Sequence, residues 1–155
     1  MKKTSNVLEA PDGHYAARDG KQTSNAQRPT LNAEVGGKAA FDLEERLLEF
    51  SARIIRLVDA LPNTRAANHL AGQILRCGTS PLGNHGEAEA AESAKDFIHK
   101  LGVCLKELNE TRRWLRLLQL TGLTFKARMA SILSETEEVI RIFSASTRTA
   151  EKNAG

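Results

Sequence analysis

One spacing constrains this chain more than any other feature. From Leu43 onward, apolar residues recur at Leu43, Leu47, Phe50, Ile54, Leu57 and Leu61, in steps of 4-3-4-3-4. Those steps put all six on one face of a helix and are incompatible with a strand. Asp42 and Glu45 make a capping-box pattern at its start, and Pro62-Asn63 stops it. The alternation then recurs. A second helix starts near Thr64 and runs through Leu70, Ile74 and Cys77; it is expected to kink at Gly78-Thr79-Ser80-Pro81 and Gly83 before continuing to about Ala91. A third, capped by Ser93, carries Phe97, Leu101, Cys104, Leu108, Thr111, Leu115 and Leu118, with Gly122 as its C-cap. A fourth, capped by Thr124, carries Phe125, Met129, Ile132, Thr136, Val139 and Phe143. Four amphipathic helices on short connections predict an all-α, antiparallel up-down-up-down four-helix bundle. An aromatic content of 5% points the same way, away from β architectures.

The bundle is expected to occupy residues 41–148. Residues 1–40 hold four scattered aliphatics (Val7, Leu8, Leu31 and Val35) and no period, so they read as a disordered polar tail; residues 149–155 read as a flexible C-terminal tail. The formal charge is +3 for the whole chain. Six cations against four carboxylates place +2 of it in the first forty residues and +1 in the remainder. No apolar run approaches the roughly 18 residues that span a bilayer, and polar Thr4-Ser5-Asn6 follows Lys2-Lys3 where a signal peptide would turn apolar. A cytoplasmic protein without membrane attachment is the expectation, with Cys77 and Cys104 reduced and in the core.

What the core stripes leave over is informative. On the third helix the face opposite the stripe reads Lys95, His99, Gly102, Lys106, Asn109, Arg113 and Arg116, one ridge without a carboxylate in its own row. Arg112 and Trp114 flank it. A row of cations at about 1.5 Å per residue along an axis suits a run of phosphates. Asp96, Glu107 and Glu110 lie on adjoining rows and would make the same ridge an ordinary solvated face if they neutralised it. The first and fourth helices carry apolar residues beyond the stripe, Leu48, Ile55 and Val58 on one and Leu133, Ile140 and Ile142 on the other, which predicts self-association through them.

Metal sites and nucleotide or hydrolase motifs fail on spacing, while a Cys–His nucleophile is disfavoured on other grounds, since both cysteines sit in core stripes. A di-metal bundle needs two Glu-x-x-His pairs with two further glutamates; the nearest approach is a single Asp96-Phe97-Ile98-His99. Cys77, Cys104 and His85 lack zinc spacing, and no P-loop, GxGxxG or GxSxG is present. No metal or cofactor is expected.

The most irregular stretch runs from Arg76 to Glu89. Asn84 falls on the continued stripe of the second helix, where a buried amide needs partners that Ser80 or backbone freed by Pro81 can supply. The order Arg76, Ser80, Asn84-x-x-Glu87 in the second helix, with Leu105-Lys106-Glu107-Leu108-Asn109-Glu110-Thr111 in the third and the opening Phe41-Asp42-Leu43-Glu44-Glu45-Arg46, resembles the bacterial four-helix-bundle proteins called 23S rRNA intervening-sequence proteins. The resemblance covers about residues 41–147. It implies an up-down-up-down bundle that assembles into a homopentamer. It also implies a similarity to the accessory variability protein of diversity-generating retroelements, a basic pentamer that binds nucleic acid and a reverse transcriptase.

Together these readings predict a non-enzymatic homo-oligomer that binds structured RNA or DNA through phosphates, with Lys95, Lys106, Arg112, Arg113 and Arg116 as contacts. Leu48, Ile55, Val58, Leu133 and Ile140 form the oligomer interface, and Arg76, Ser80, Asn84 and Glu87 a structural polar layer. The alternative is an adaptor for a protein partner such as a reverse transcriptase, without direct nucleic-acid binding.

Overall fold

The structure, a computed structural model, describes residues 42–155 except Phe125 and the side chain of Lys126. The expected tail at 1–40, and Phe125 of the fourth stripe, lie outside the described residues. Among those residues four helices are present: α1 (Leu43–Asp59), α2 (Arg65–Glu89), α3 (Ala94–Thr121) and α4 (Lys126–Ala154).

Their starts follow from local chemistry. The Asp42 carboxylate accepts from the Glu45 amide at 3.1 Å, the Thr64 hydroxyl from the Ala67 amide at 3.2 Å, and the Ser93 hydroxyl from the Asp96 amide at 3.1 Å. Each pairs an amide that the first helical turn leaves without a partner, for about 1 kcal/mol apiece. Gly122 ends α3 in the left-handed conformation, with φ 68°, where a side chain would be strained.

Cross-helix pairs define the direction of each neighbour. Arg46 and Arg53 of α1 meet Glu138 and Ser131 of α4, so advancing along α1 means retreating along α4. Arg76 and Glu87 of α2 meet Glu110 and Lys100 of α3 in the same reversed order. The bundle is therefore antiparallel. α2 packs extensively on α1 and α3, and α3 on α4; α1 and α4 meet sparsely, while α1–α3 and α2–α4 lie on the diagonals. All stripe residues of α1 from Leu43 to Leu57 are buried, as are Leu101, Cys104, Leu108, Thr111, Leu115 and Leu118 of α3 and Met129, Ile132, Thr136, Val139 and Phe143 of α4.

α2 continues through Pro81 to Glu89 as one helical element, as expected, although the ring removes the amide that would bond the Cys77 carbonyl. The Thr79 hydroxyl bonds the Leu75 carbonyl and the Asn84 amide bonds the Ser80 carbonyl around it, and the Cys104 thiol reaches the Pro81 carbonyl from α3 at 3.6 Å. α2 departs from expectation at His85, 1% exposed, which takes the core position expected for Asn84. Ile74, Cys77, Pro81, His85 and Ala88 step 3-4-4-3, and three turns at 3.6 residues cover the eleven residues from Ile74 to His85. Asn84 is thereby turned to the flank and only half-buried. The His85 ring packs edge-on against Phe143 of α4 across the core, centroids 6.1 Å apart.

Where α1 crosses α2 the Ile54 side chain packs directly on the α2 backbone at Gly78. A Cβ on Gly78 would stand 2.9 Å from Ile54 Cγ2. At the far end, α4 continues to Ala154, so residues 149–154 are helical where a tail was expected. Among the described residues no helix is long and apolar enough to cross a membrane.

Candidate nucleic-acid interface

Because α3 is flanked by α2 and α4 and lies diagonal to α1, the face opposite its core stripe is open. Lys95, His99, Lys106, Arg113 and Arg116 are all exposed on it, with Gly102 and Asn109 half-buried between them. From Lys95 to Arg116 the row spans about 30 Å at 1.5 Å per residue. None of these side chains has an ion-pair partner among the described residues.

The neighbouring carboxylates explain that isolation. Glu107 and Glu110 turn towards α2, where Arg76 takes both: its guanidinium lies 3.5 Å from Glu107 and hydrogen-bonds Glu110. Glu110 also accepts from the Trp114 indole at 3.2 Å. Two of the three acids beside the ridge, Glu107 and Glu110, are thus committed to the α2–α3 seam, and Asp96 makes no ion pair with a ridge cation among the described residues. Arg112 is half-buried and donates to the Asn109 side chain at 3.0 Å, which places it beside the ridge. Trp114 packs edge-on against His69 of α2, centroids 6.0 Å apart, in the seam and away from the cationic row. Past Arg116 the same side of α3 exposes Leu117 and Leu120, the latter 85% exposed; neither belongs to the core stripe, and periodicity alone does not single them out.

The four residues expected as a polar layer share the α3-facing flank of α2. Arg76 pairs with Glu107 and Glu110, and Glu87 pairs with Lys100. Between them Asn84 donates to the Ser80 hydroxyl at 2.8 Å and to its carbonyl at 3.0 Å. Three interhelical ion pairs, two at Arg76 and one at Glu87, thus bracket the two bonds that Asn84 makes to Ser80 within α2.

The expected interface residues are divided by their surroundings. Leu48 and Ile55 are each 44% exposed, and Leu75 of α2 is 40% exposed. Val58 is buried in the bundle's own core, and its side chain is not available to a second subunit. Leu133 and Ile140 are partly buried and pack on that core.

The cysteines are free and buried. Burial pushes both thiols up, Cys104 to about 12, so neither is a thiolate near neutral pH. Among the described residues no group of three or more His, Cys, Asp or Glu stands close enough to hold a metal ion.

A family model described as 23S rRNA-intervening sequence protein matches residues 41–145, the whole bundle except the end of α4. No curated protein matches the chain. Among solved structures, a protein of unknown function from the S23 ribosomal protein family of Bacteroides thetaiotaomicron is 38% identical, covers 68% of this chain and 98% of its own, and superposes with a TM-score of 0.65. With its capped helices, its buried stripes and a match over two thirds of its length, this chain belongs to the 23S rRNA-intervening sequence protein family.

Proposed function

We propose that this protein is a non-enzymatic, cytoplasmic homo-oligomer, pentameric as the family resemblance implies, that binds structured RNA or DNA through phosphates on the outer face of α3. The observation that carries the reading is the withdrawal of Glu107 and Glu110 to Arg76, which leaves Lys106, Arg113 and Arg116 exposed and unpaired on one line with Lys95. Cations so placed hold phosphates without reading bases, giving affinity that falls steeply with salt. Arg112 supports the row from its edge through Asn109.

Binding of ribosomal RNA fragments and duplex DNA, titrated across salt, tests it. Wild type is expected to bind at about 50 mM salt, where phosphate contacts are strong, and a variant with Lys106→Glu, Arg113→Glu and Arg116→Glu to lose binding. Equal binding by both proteins would remove the α3 face from consideration.

Exposed Leu48 and Ile55 supply the apolar surface for self-association, with Leu133 and Ile140 contributing their partly exposed edges; Leu48→Glu with Ile55→Glu is expected to lower the mass measured by light scattering. The same exposed pair favours the second reading, an adaptor that docks a protein partner such as a reverse transcriptase. In that case the charge-reversed α3 variant keeps its partner and the Leu48/Ile55 variant loses it.

A further inference from the structure

The sparse α1–α4 seam contains a second cationic feature, on the opposite side of the bundle from the α3 ridge. Its register follows from the two bonds already described. Arg46 sits opposite Glu138 and Arg53 opposite Ser131; one further step towards the end of α1 and the start of α4 sets Arg56 opposite Arg128. Arg53, Arg56 and Arg128 line one groove of about 330 Å³, with Ser131 on its wall. Buried Leu57 and Ile132 complete the lining.

Charge along the seam divides sharply. Near its Arg46 end acids outnumber cations: Arg46 bonds both Glu135 at 2.7 Å and Glu138 at 2.6 Å. Beyond Glu135 the groove lining holds no acid at all. Arg53 is 4.0 Å from Glu135, a carboxylate already held by Arg46, and Arg56 and Arg128 have no ion-pair partner among the described residues. Arg128 also stands in the first turn of α4, which carries no acidic residue. Cations are disfavoured at that end of a helix, and like charges facing each other destabilise a helix pair. Arg56, in the last turn of α1, is favoured by that helix's dipole, whereas Arg128 at the start of α4 is not.

We propose that this groove is an anion site that takes a phosphate monoester group, independent of the α3 face. Three planar guanidiniums match the oxygens of a phosphoryl dianion. The Ser131 hydroxyl accepts from Arg53 and keeps its own proton to donate. The group is carried either by free phosphate or by a nucleotide.

The test is thermal melting and calorimetry of the full chain with inorganic phosphate, with adenosine 5′-monophosphate, and with adenosine, at matched ionic strength in chloride. Phosphate or the nucleotide is expected to raise the melting temperature by about 5 °C or more near saturation, and adenosine to leave it unchanged. Preference for the nucleotide assigns the group to a nucleotide; equal or better binding of inorganic phosphate assigns it to the free ion. In Arg56→Gln with Arg128→Gln, the ligand-free melting temperature is expected to change little, because the cation removed from the start of α4 offsets the one removed from the end of α1, while the phosphate response is lost. The Lys106→Glu, Arg113→Glu, Arg116→Glu protein is expected to keep that response. A wild type that ignores both phosphates, or a double variant that responds as wild type does, overturns the proposal.

Discussion

Gly78 offers a stability experiment whose sign is set by one contact. Replacing a helix-interior glycine with alanine ordinarily stabilises by about 1 kcal/mol, through helix propensity and a less flexible unfolded chain. At Gly78 the new Cβ would meet Ile54 Cγ2 at 2.9 Å and Cγ1 at 3.0 Å. Ile54 is fully buried, and its β-branched side chain cannot swing aside without leaving its rotamer. Forcing a methyl group into such a core costs roughly 1–3 kcal/mol, so Gly78→Ala is expected to be destabilising by up to about 2 kcal/mol net. Gly72 and Gly83 lie in the same helix, and a Cβ added at either would meet nothing within 4 Å; alanine there is expected to stabilise by about 1 kcal/mol. Urea unfolding at fixed protein concentration measures all three. A cycle with Ile54→Ala, which removes both offending carbons, isolates the contact: in that background Gly78→Ala becomes stabilising. Stabilisation by Gly78→Ala in the native background, equal to that at Gly72, would refute the close-contact argument.

Three further outcomes follow from buried and paired groups. Neither ring nitrogen of His85 has a hydrogen-bond partner, so His85→Leu is expected to raise unfolding free energy by about 1–3 kcal/mol, whereas His85→Ala, which opens a cavity beside Phe143, lowers it; a drop for the leucine variant would mean the imidazole is satisfied in solution. Hydrogen bonding to Arg46 holds the Glu138 carboxyl below its ordinary value of 4.5, so the folded state binds fewer protons than the unfolded chain and this stabilisation, present above pH 4.5, fades as pH falls through the lowered value; the melting temperatures of wild type and Arg46→Met are expected to converge towards pH 3, and a constant gap would contradict the pairing. With the Cys104 thiol pushed up to about 12 by burial, iodoacetamide at pH 8 is expected to leave it unlabelled in the native protein and label it in denaturant, as mass spectrometry reads; rapid native labelling would show that the core opens.

Most of the bundle is legible in the sequence because helical periodicity and caps are local. Asp42, Thr64 and Ser93 cap where side-chain oxygens precede apolar stripes, and Gly122 ends α3 for want of a Cβ. His85 is not legible in that way, since extending the stripe of α2 by alternating threes and fours selects Asn84, and the true period across Pro81 selects its neighbour. The ridge on α3 can be read from one helix, but its lack of neutralisation cannot. Glu107 and Glu110 are drawn away by Arg76, more than thirty residues earlier in the chain. Val58 illustrates the converse: an apolar residue off the stripe looks free until α1 is packed, when a wide core face covers it. The groove of Arg53, Arg56 and Arg128 depends on the register of α1 against α4, information that no single segment contains.

The salt dependence of RNA binding tests the central claim most directly. Removing one cation that neutralises a phosphate lowers the slope of log K against log salt by about 0.9 on duplex DNA and about 0.7 on single strands. Lys106→Gln, Arg113→Gln and Arg116→Gln, measured singly and together, are expected to reduce the slope by about that amount each and about three times as much combined. Slopes identical to wild type in all four proteins would mean that phosphates are held elsewhere, and that the outer face of α3 is a solvated surface.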